Sequence, residues 1–152
     1  MSSNRLYQHY KQQLALFIEH FDNTNERLEV EDIHQLRVSI KKIRTNLSLM
    51  NIASEGEFKN KSHFKLLSKL FKNSGKLREI QVNQAILDKL NLEEQHSDEL
   101  HQSAIHCYRN NLAQQSQKSI DRLKKTLKNF NFKKLKTCNQ KLKKRIAQLG
   151  DE

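Results

Sequence analysis

Four basic side chains recur at helical spacing between Glu31 and Met50, and no acid follows Asp32 until Glu55. They form the first basic strip: His34, Arg37, Lys41 and Arg44. At 100° per residue they share an arc of roughly 80°, and the strip is about 15 Å long at ~1.5 Å per residue. The acids that usually stabilise a helix surface at this spacing are missing. The pattern favours docking of an extended polyanion, with arginine gripping phosphate oxygens and lysine acting as a point charge. A basic surface helix without a ligand is the alternative.

A second basic strip follows on the next predicted helix. Its members are Lys61, Lys65, Lys69, Lys72 and Lys76. Such a row is more often a solvated surface, and it becomes a candidate ligand contact only if it lies beside the first basic strip. Lys42 falls off the arc of the first strip and ranks lower as a contact. Arg78 shares a side with Phe71 and Val82, where a charged group needs either a carboxylate or a bound anion.

Catalytic and metal-binding chemistry are not indicated. No nucleophile or carboxylate pair lies at helical spacing beside His34, so a general-base role has no partner. His101 and His106 are five residues apart, which is wrong for one helix face, and no further ligand completes a metal site. Cys107 and Cys138 do not form a disulfide framework. We therefore expect a non-enzymatic protein without a metal or cofactor.

The composition predicts one all-α domain over residues 1–152. The chain has no Pro and three Gly, and hydrophobic residues recur every three or four positions. Helices are predicted at 4–20, 26–52 (or 29–52), 57–90, 97–128 and 133–149, separated by turns at 22–25, 54–56, 91–96 and 129–132. Long helices joined by short turns favour an antiparallel bundle of four to five helices.

The charge balance also limits the partner. Lys and Arg number 28 against 17 Asp and Glu, which gives a net charge of +11 and favours a polyanion. No apolar run is long enough to span a bilayer, so we expect a cytoplasmic protein without a membrane partner.

Nonspecific nucleic-acid binding is the main alternative function. However, the sequence lacks a helix-turn-helix signature and offers few aromatic residues interleaved with basic ones for base stacking. Phe64, Phe71 and Tyr108 lie on apolar stripes and are expected in the core. A scaffold that binds another protein through its helix surfaces also stays open.

Two segments resemble the CHAD family, the conserved histidine α-helical domain. The pattern His34-x-x-Arg37-Val38-x-x-Lys41-Lys42-x-Arg44 resembles the signature of the family, and LFKNSGKLREIQV, residues 70–82, is similar to its later Leu-Gly-x-x-Arg-Asp-x-x-Val element. The resemblance implies a helical bundle that binds inorganic polyphosphate through the first basic strip. The further candidate contacts are Lys42, Lys69, Lys72, Lys76 and Arg78.

The chain also departs from the family pattern. Glu79 replaces the usual Asp, and Lys41 and Lys42 stand where Arg is common, which keeps the charge but loses bidentate geometry. A typical CHAD domain is about twice as long and has two similar bundles across a groove, whereas no second His-x-x-Arg element follows here. We therefore expect a homodimer whose two-fold axis apposes two copies of the strip. The alternative is a single bundle with one open binding face.

Overall fold

The structure, a computed structural model, describes residues 3–93 and 99–149. This part of the chain forms five α-helices and no strand, so the predicted all-α bundle is confirmed. The helices are α1 (Ser3–Arg27), α2 (Val30–Ala53), α3 (Lys61–Glu93), α4 (Glu99–Lys128) and α5 (Phe132–Gln148). None of these helices, as far as they are described, combines the length and the apolar character that a membrane span requires.

The apolar stripe of α2 forms the centre of the core. Its members are all buried: Ile33, Leu36, Ile40, Ile43, Leu47 and Met50. Each buried side chain of this size contributes roughly 1.5–3 kcal/mol relative to exposure. α1 and α3 both pack on α2, α4 pairs with α3, and α5 closes against α1 and α3. Because the stripe faces the core, the adjoining basic face of α2 is directed to the edge where α3 packs.

The paired α3 and α4 helices extend beyond the main core. A separate apolar cluster joins them, made by buried Ile80, Leu87 and Leu112 with Ile105 packed against it. Nearer the main core, the Asn73 amide donates a hydrogen bond of 2.7 Å to the Thr126 hydroxyl. These contacts fix the register of α3 against α4 and leave a long groove between them.

The turn predicted at residues 22–25 is wrong, because α1 continues to Arg27. Short polar side chains favour a helix end but do not force one, and no Pro or Gly interrupts the chain at 22–25. Thr24 is fully buried, and its hydroxyl lies 2.7 Å from the His20 carbonyl oxygen and 3.1 Å from that of Asp32. The chain reverses instead at Leu28, whose φ of 53° is left-handed.

The other predicted breaks are confirmed in part. Gly56 has a φ of 89° in the loop that follows α2, but α3 begins at Lys61, four residues later than predicted. Residues 91–93 belong to α3, and the remaining predicted turn residues, 94–96, lie outside the described part of the chain. The predicted bend at 129–132 is shorter, because Asn131 caps α5 by accepting a hydrogen bond from the Lys134 amide.

Candidate anion-binding site

The last acid before the first basic strip, Asp32, pairs with an arginine of α1 and not with the strip. Asp32 is buried, and its carboxylate accepts two hydrogen bonds from Arg27, of 2.6 Å from Nη2 and 3.1 Å from Nε. This pairing raises the pKa of Arg27 and ties the end of α1 to the start of α2. Asp32 therefore anchors the helix corner and leaves the cations of the strip uncompensated within their own helix.

Arg37 reaches across to α3 and is held there in two ways. Its Nη1 donates a hydrogen bond of 2.6 Å to the Phe71 carbonyl oxygen, and its guanidinium carbon lies 4.2 Å from the centre of the Phe71 ring. A guanidinium over an aromatic face is attracted by the ring's negative quadrupole. The side chain is thus half-buried at the junction of α2 and α3, in a fixed position.

Gly75 makes the close approach of Arg37 possible. A Cβ atom at position 75 would lie 2.5 Å from Arg37 Nη1, which is closer than van der Waals contact allows. Glycine within a helix costs roughly 0.5–1 kcal/mol relative to alanine, so its use inside α3 needs a local reason. The guanidinium of Arg37 provides that reason.

Arg44 lies two turns further along α2 and also faces aromatic rings of α3. Its guanidinium carbon is 5.3 Å from the Phe64 ring centre and 5.4 Å from that of Phe71. Phe71 is therefore flanked by two guanidinium groups, from Arg37 and from Arg44. Contact through the ring face leaves the N–H edges of Arg44, an exposed residue, available for hydrogen bonds to an anion.

A third guanidinium, from Arg78, completes this cluster. Burial and the neighbouring charge of Arg78 lower the pKa of Arg37, so the two cations repel each other where the protein partly excludes water. Among the described residues, none of the ion pairs involves Arg37, Arg44 or Arg78. We therefore name Arg37, Arg44 and Arg78, with Lys41, the α2–α3 cation cluster.

An open groove runs beside this cluster. Its lining comes from α2 and from Phe64 of α3: Lys41, Arg44, Thr45, Ser48, Leu49 and Phe64. His34 is half-buried one turn before Arg37, while Lys42 is exposed and does not line the groove. The structure thus brings Lys41 and Arg44 of the first basic strip to one groove, which the sequence spacing anticipated.

The second basic strip does not line this α2–α3 groove. Lys69, Lys72 and Lys76 are all exposed, and Lys76 lines a different groove, between α3 and α4. Lys118 and Arg122 of α4 line that second groove as well. The condition that the two strips lie side by side is therefore not met for Lys76, because α3 presents it on the side of α4.

The expectation that three aromatic residues lie in the core holds in part. Phe64 and Phe71 are half-buried and pack against the core while they also carry the guanidinium groups, whereas Tyr108 is 45% exposed. Sequence reasoning missed the contact between Arg37 and Gly75. The intervals of seven residues place Phe64, Phe71 and Arg78 on one side of α3, but they do not indicate which side chain of α2 lies against that side.

A buried polar network joins α1, α3 and α5 at the start of α3. Asn139 Oδ1 of α5 accepts hydrogen bonds from the Tyr10 hydroxyl of α1 at 2.5 Å and from His63 Nε2 of α3 at 3.1 Å. His63 is 4% exposed, and its Nδ1 has no hydrogen-bond partner among the residues that the structure describes. Burial lowers the pKa of His63, which keeps the ring neutral. This network fixes the first turn of α3, immediately before Phe64.

The comparisons with known proteins agree with this description of the fold. No curated protein and no solved structure matches the chain. A family model described as CHAD domain matches residues 9–149, nearly the whole chain, and the protein therefore belongs to the CHAD domain family.

Proposed function

We propose that this protein binds inorganic polyphosphate, without catalysis, through the α2–α3 cation cluster. CHAD domains are associated with polyphosphate binding and are generally binding rather than catalytic domains. The observation that carries the proposal for this chain is the pair of guanidinium groups, from Arg37 and Arg44, that flank Phe71 and have no carboxylate partner in the described part of the chain. Two fixed cations without a counter-ion form a binding site for a polyanion.

The geometry favours a polyanion that has no bases. The rings of Phe64 and Phe71 are occupied by guanidinium groups, so they offer little free surface for stacking a nucleobase. The cations of this groove instead favour a ligand that consists of phosphate groups alone. Arg44 binds phosphate oxygens with two N–H groups, and Lys41 adds a point charge beside it. Arg37 and Arg78 add positive charge beside this groove, and a bound phosphate would relieve the repulsion between them.

The net charge of +11 assists this binding at longer range. Exposed cations attract a polyanion over about one Debye length, roughly 8 Å at physiological ionic strength. That attraction raises the association rate for any polyanion, whereas the fixed cluster determines which one stays bound. Competition therefore distinguishes polyphosphate from nucleic acid, the main alternative ligand.

Calorimetric titration with long-chain polyphosphate at near-physiological salt tests the proposal. The Lys41→Glu/Arg44→Glu variant is expected to lose at least about thirtyfold in affinity, since it replaces two charge-assisted contacts with repulsion. The matched control is Lys133→Glu/Lys134→Glu, which changes the net charge equally at exposed positions outside both grooves. It should lose no more than about threefold.

Helicity measured by circular dichroism must be unchanged in both variants. Equal losses in the two variants would mean that diffuse charge, and not the cluster, binds the polymer. If duplex DNA competes as well as polyphosphate does at the same phosphate concentration, the result would support the nucleic-acid alternative instead.

We also propose that two copies of the chain face each other across the polyphosphate. Leu49, which lines the α2–α3 groove, and the nearby Ile52 are large apolar residues exposed by 48% and 74%. Burying them against a second copy would offset part of the repulsion between two basic surfaces. Light scattering with and without polyphosphate tests this, and a monomeric mass in both conditions would contradict it.

A further inference from the structure

The groove between α3 and α4 differs chemically from the α2–α3 groove. It encloses about 510 Å³, and its floor is formed by buried Ile80 and Leu112. Fourteen residues of α4 separate Tyr108 from Arg122, which both line it, so the groove is about 21 Å long at 1.5 Å per residue. This length suits an extended ligand.

One end of this groove is basic. Lys76 of α3 and Lys118 and Arg122 of α4 all line it, and all three are exposed. None of the ion pairs among the described residues involves these three cations. Three cations from two helices form an anion-binding end that fits several phosphate groups.

The other end is aromatic and polar. Tyr108 has 45% of its surface exposed and carries no cation over its ring among the described residues. The amides of Asn83 and Gln115 line the groove between Tyr108 and the basic end. Exposed aromatic rings stack nucleobases, and side-chain amides donate to and accept from base edges. An inorganic phosphate chain can accept hydrogen bonds from these groups, but it has no base to stack on the ring and no donor for the amide oxygens.

Glu79, the acid in the lining, also favours a nucleoside over a bare phosphate chain. Glu79 lies on α3 between Asn83 and Lys76, within the stretch of the groove that Lys118 and Arg122 line from α4. A carboxylate would repel a phosphate at this position, but it accepts hydrogen bonds from hydroxyl groups. A sugar with free hydroxyls, placed between a base and its phosphates, matches that requirement.

We propose that the α3–α4 groove binds a phosphorylated nucleoside, with its base on Tyr108, its ribose at Glu79 and its phosphates on Lys76, Lys118 and Arg122. The ligand is either a free nucleoside triphosphate or a short single strand, which share this chemistry. This site is separate from the polyphosphate site, because α3 lies between the two grooves.

The test uses the full chain carrying Lys41→Glu/Arg44→Glu, so that the α2–α3 groove does not contribute. Binding of a nucleoside triphosphate, inorganic tripolyphosphate and a short single-stranded oligonucleotide is measured by calorimetry. The nucleoside triphosphate should bind at least about fivefold tighter than tripolyphosphate, because base stacking adds to the phosphate contacts. Tighter binding of the oligonucleotide would identify the ligand as a single strand, and tighter binding of the triphosphate would identify it as the free nucleotide.

Two further variants in the same background complete the test. Tyr108→Ser should reduce nucleotide affinity to that of tripolyphosphate and leave tripolyphosphate binding unchanged. Lys118→Glu/Arg122→Glu should weaken both ligands by at least about tenfold. Equal affinity for the two phosphates, or nucleotide binding that Tyr108→Ser does not change, would overturn the proposal.

Failure here leaves the polyphosphate proposal intact, because that proposal is measured with the α2–α3 groove unmodified. Conversely, loss of polyphosphate binding in Lys41→Glu/Arg44→Glu says nothing about Tyr108. Circular dichroism on each variant, compared with Lys133→Glu/Lys134→Glu, separates lost binding from lost folding.

Discussion

The two grooves beside α3 both carry cations, but they hold them differently. Beside the α2–α3 groove, Arg37 and Arg44 both contact the Phe71 ring and Arg37 also donates to a main-chain carbonyl, although of these two only Arg44 lines the groove. In the α3–α4 groove, the cations Lys76 and Lys118 are exposed and make no such contact with the described residues. One groove therefore has preorganised charge, and the other has mobile charge beside a free aromatic ring.

The difference indicates that, in a basic protein, selectivity among polyanions and general attraction of polyanions can come from different groups of cations. Ordering a long, flexible side chain on binding costs roughly 0.5–1.5 kcal/mol, and a guanidinium already held on a ring has lost most of that freedom. The preorganised cluster discriminates by position, whereas lysines on mobile stems respond mainly to total charge. Mutations should therefore have larger effects in the α2–α3 groove than in the α3–α4 groove when polyphosphate is the ligand.

The largest expected effect comes from removing Arg37. We expect Arg37→Ala to weaken polyphosphate binding by about tenfold to about a hundredfold, since it removes charge-assisted contacts worth roughly 1.5–3 kcal/mol. Lys76→Ala, which removes a lysine that lines the other groove, should weaken it by less than about threefold. Calorimetry on both variants gives the comparison, and equal losses would show that the grooves do not differ for this ligand.

A smaller and more specific effect is expected from Gly75→Ala. The new Cβ would displace the Arg37 guanidinium from the Phe71 carbonyl, so polyphosphate affinity should fall by about threefold to about tenfold. The unfolding temperature should stay constant or rise, because alanine favours the helix by roughly 0.5–1 kcal/mol. The flexible end of Arg37 can move aside without a core rearrangement.

Ser68→Ala is the matched control for this substitution. Ser68 is an exposed residue of the same helix that lines neither groove, so its replacement raises helix propensity without touching Arg37. If Gly75→Ala binds polyphosphate as well as Ser68→Ala does, the position that Gly75 allows Arg37 to adopt does not contribute to binding.

These two residues also show what sequence could predict. The periodicity of α2 predicted both the buried stripe and the basic face, because a single helix determines which of its side chains share a side. It could not predict that Arg37 packs on Gly75, since that contact depends on the register of α2 against α3. The same limit explains Lys76, whose groove depends on where α4 packs.

The predicted breaks at 54–56 and at 22–25 had different outcomes. The first is present, because α2 ends at Ala53 and two left-handed residues follow its cap, Glu55 and Gly56, of which only glycine adopts that φ without strain. The polar segment at 22–25 did not end α1, because tertiary packing buries Thr24 against the start of α2. Local polarity is a weak signal when a helix gains more from continuing along its partner.

A conservative change at Arg44 should have a modest effect. Arg44→Lys keeps the charge but loses the planar contact with Phe64 and Phe71, so we expect polyphosphate affinity to fall by about twofold to about fivefold. The comparison is Arg122→Lys in the α3–α4 groove, where Arg122 makes no ring contact among the described residues. This change should alter polyphosphate affinity by less than about twofold, within about the error of calorimetry. Equal effects would remove the distinction between fixed and mobile guanidinium groups.

The smallest expected effect is a loss of folding stability in acid, which originates at His63 beside the α2–α3 groove. Burial lowers the folded-state pKa of His63 below its ordinary value of 6.5, so protonation favours the unfolded chain. The stability should be constant above about pH 6.5, decrease as the pH falls below it, and level off below the folded-state pKa. Thermal unfolding between about pH 7.5 and about pH 5.5 measures this decrease.

The control is His63→Asn, which keeps a polar side chain but does not titrate. Its unfolding temperature should fall less with acid than that of the native chain, and parallel curves would exclude His63 as the cause. His63 precedes Phe64 directly, whereas Lys76 lies thirteen residues away, about 20 Å along α3. Local opening at the start of α3 should therefore loosen the α2–α3 groove first, and polyphosphate added at mildly acidic pH should restore part of the lost stability because it binds only the closed groove.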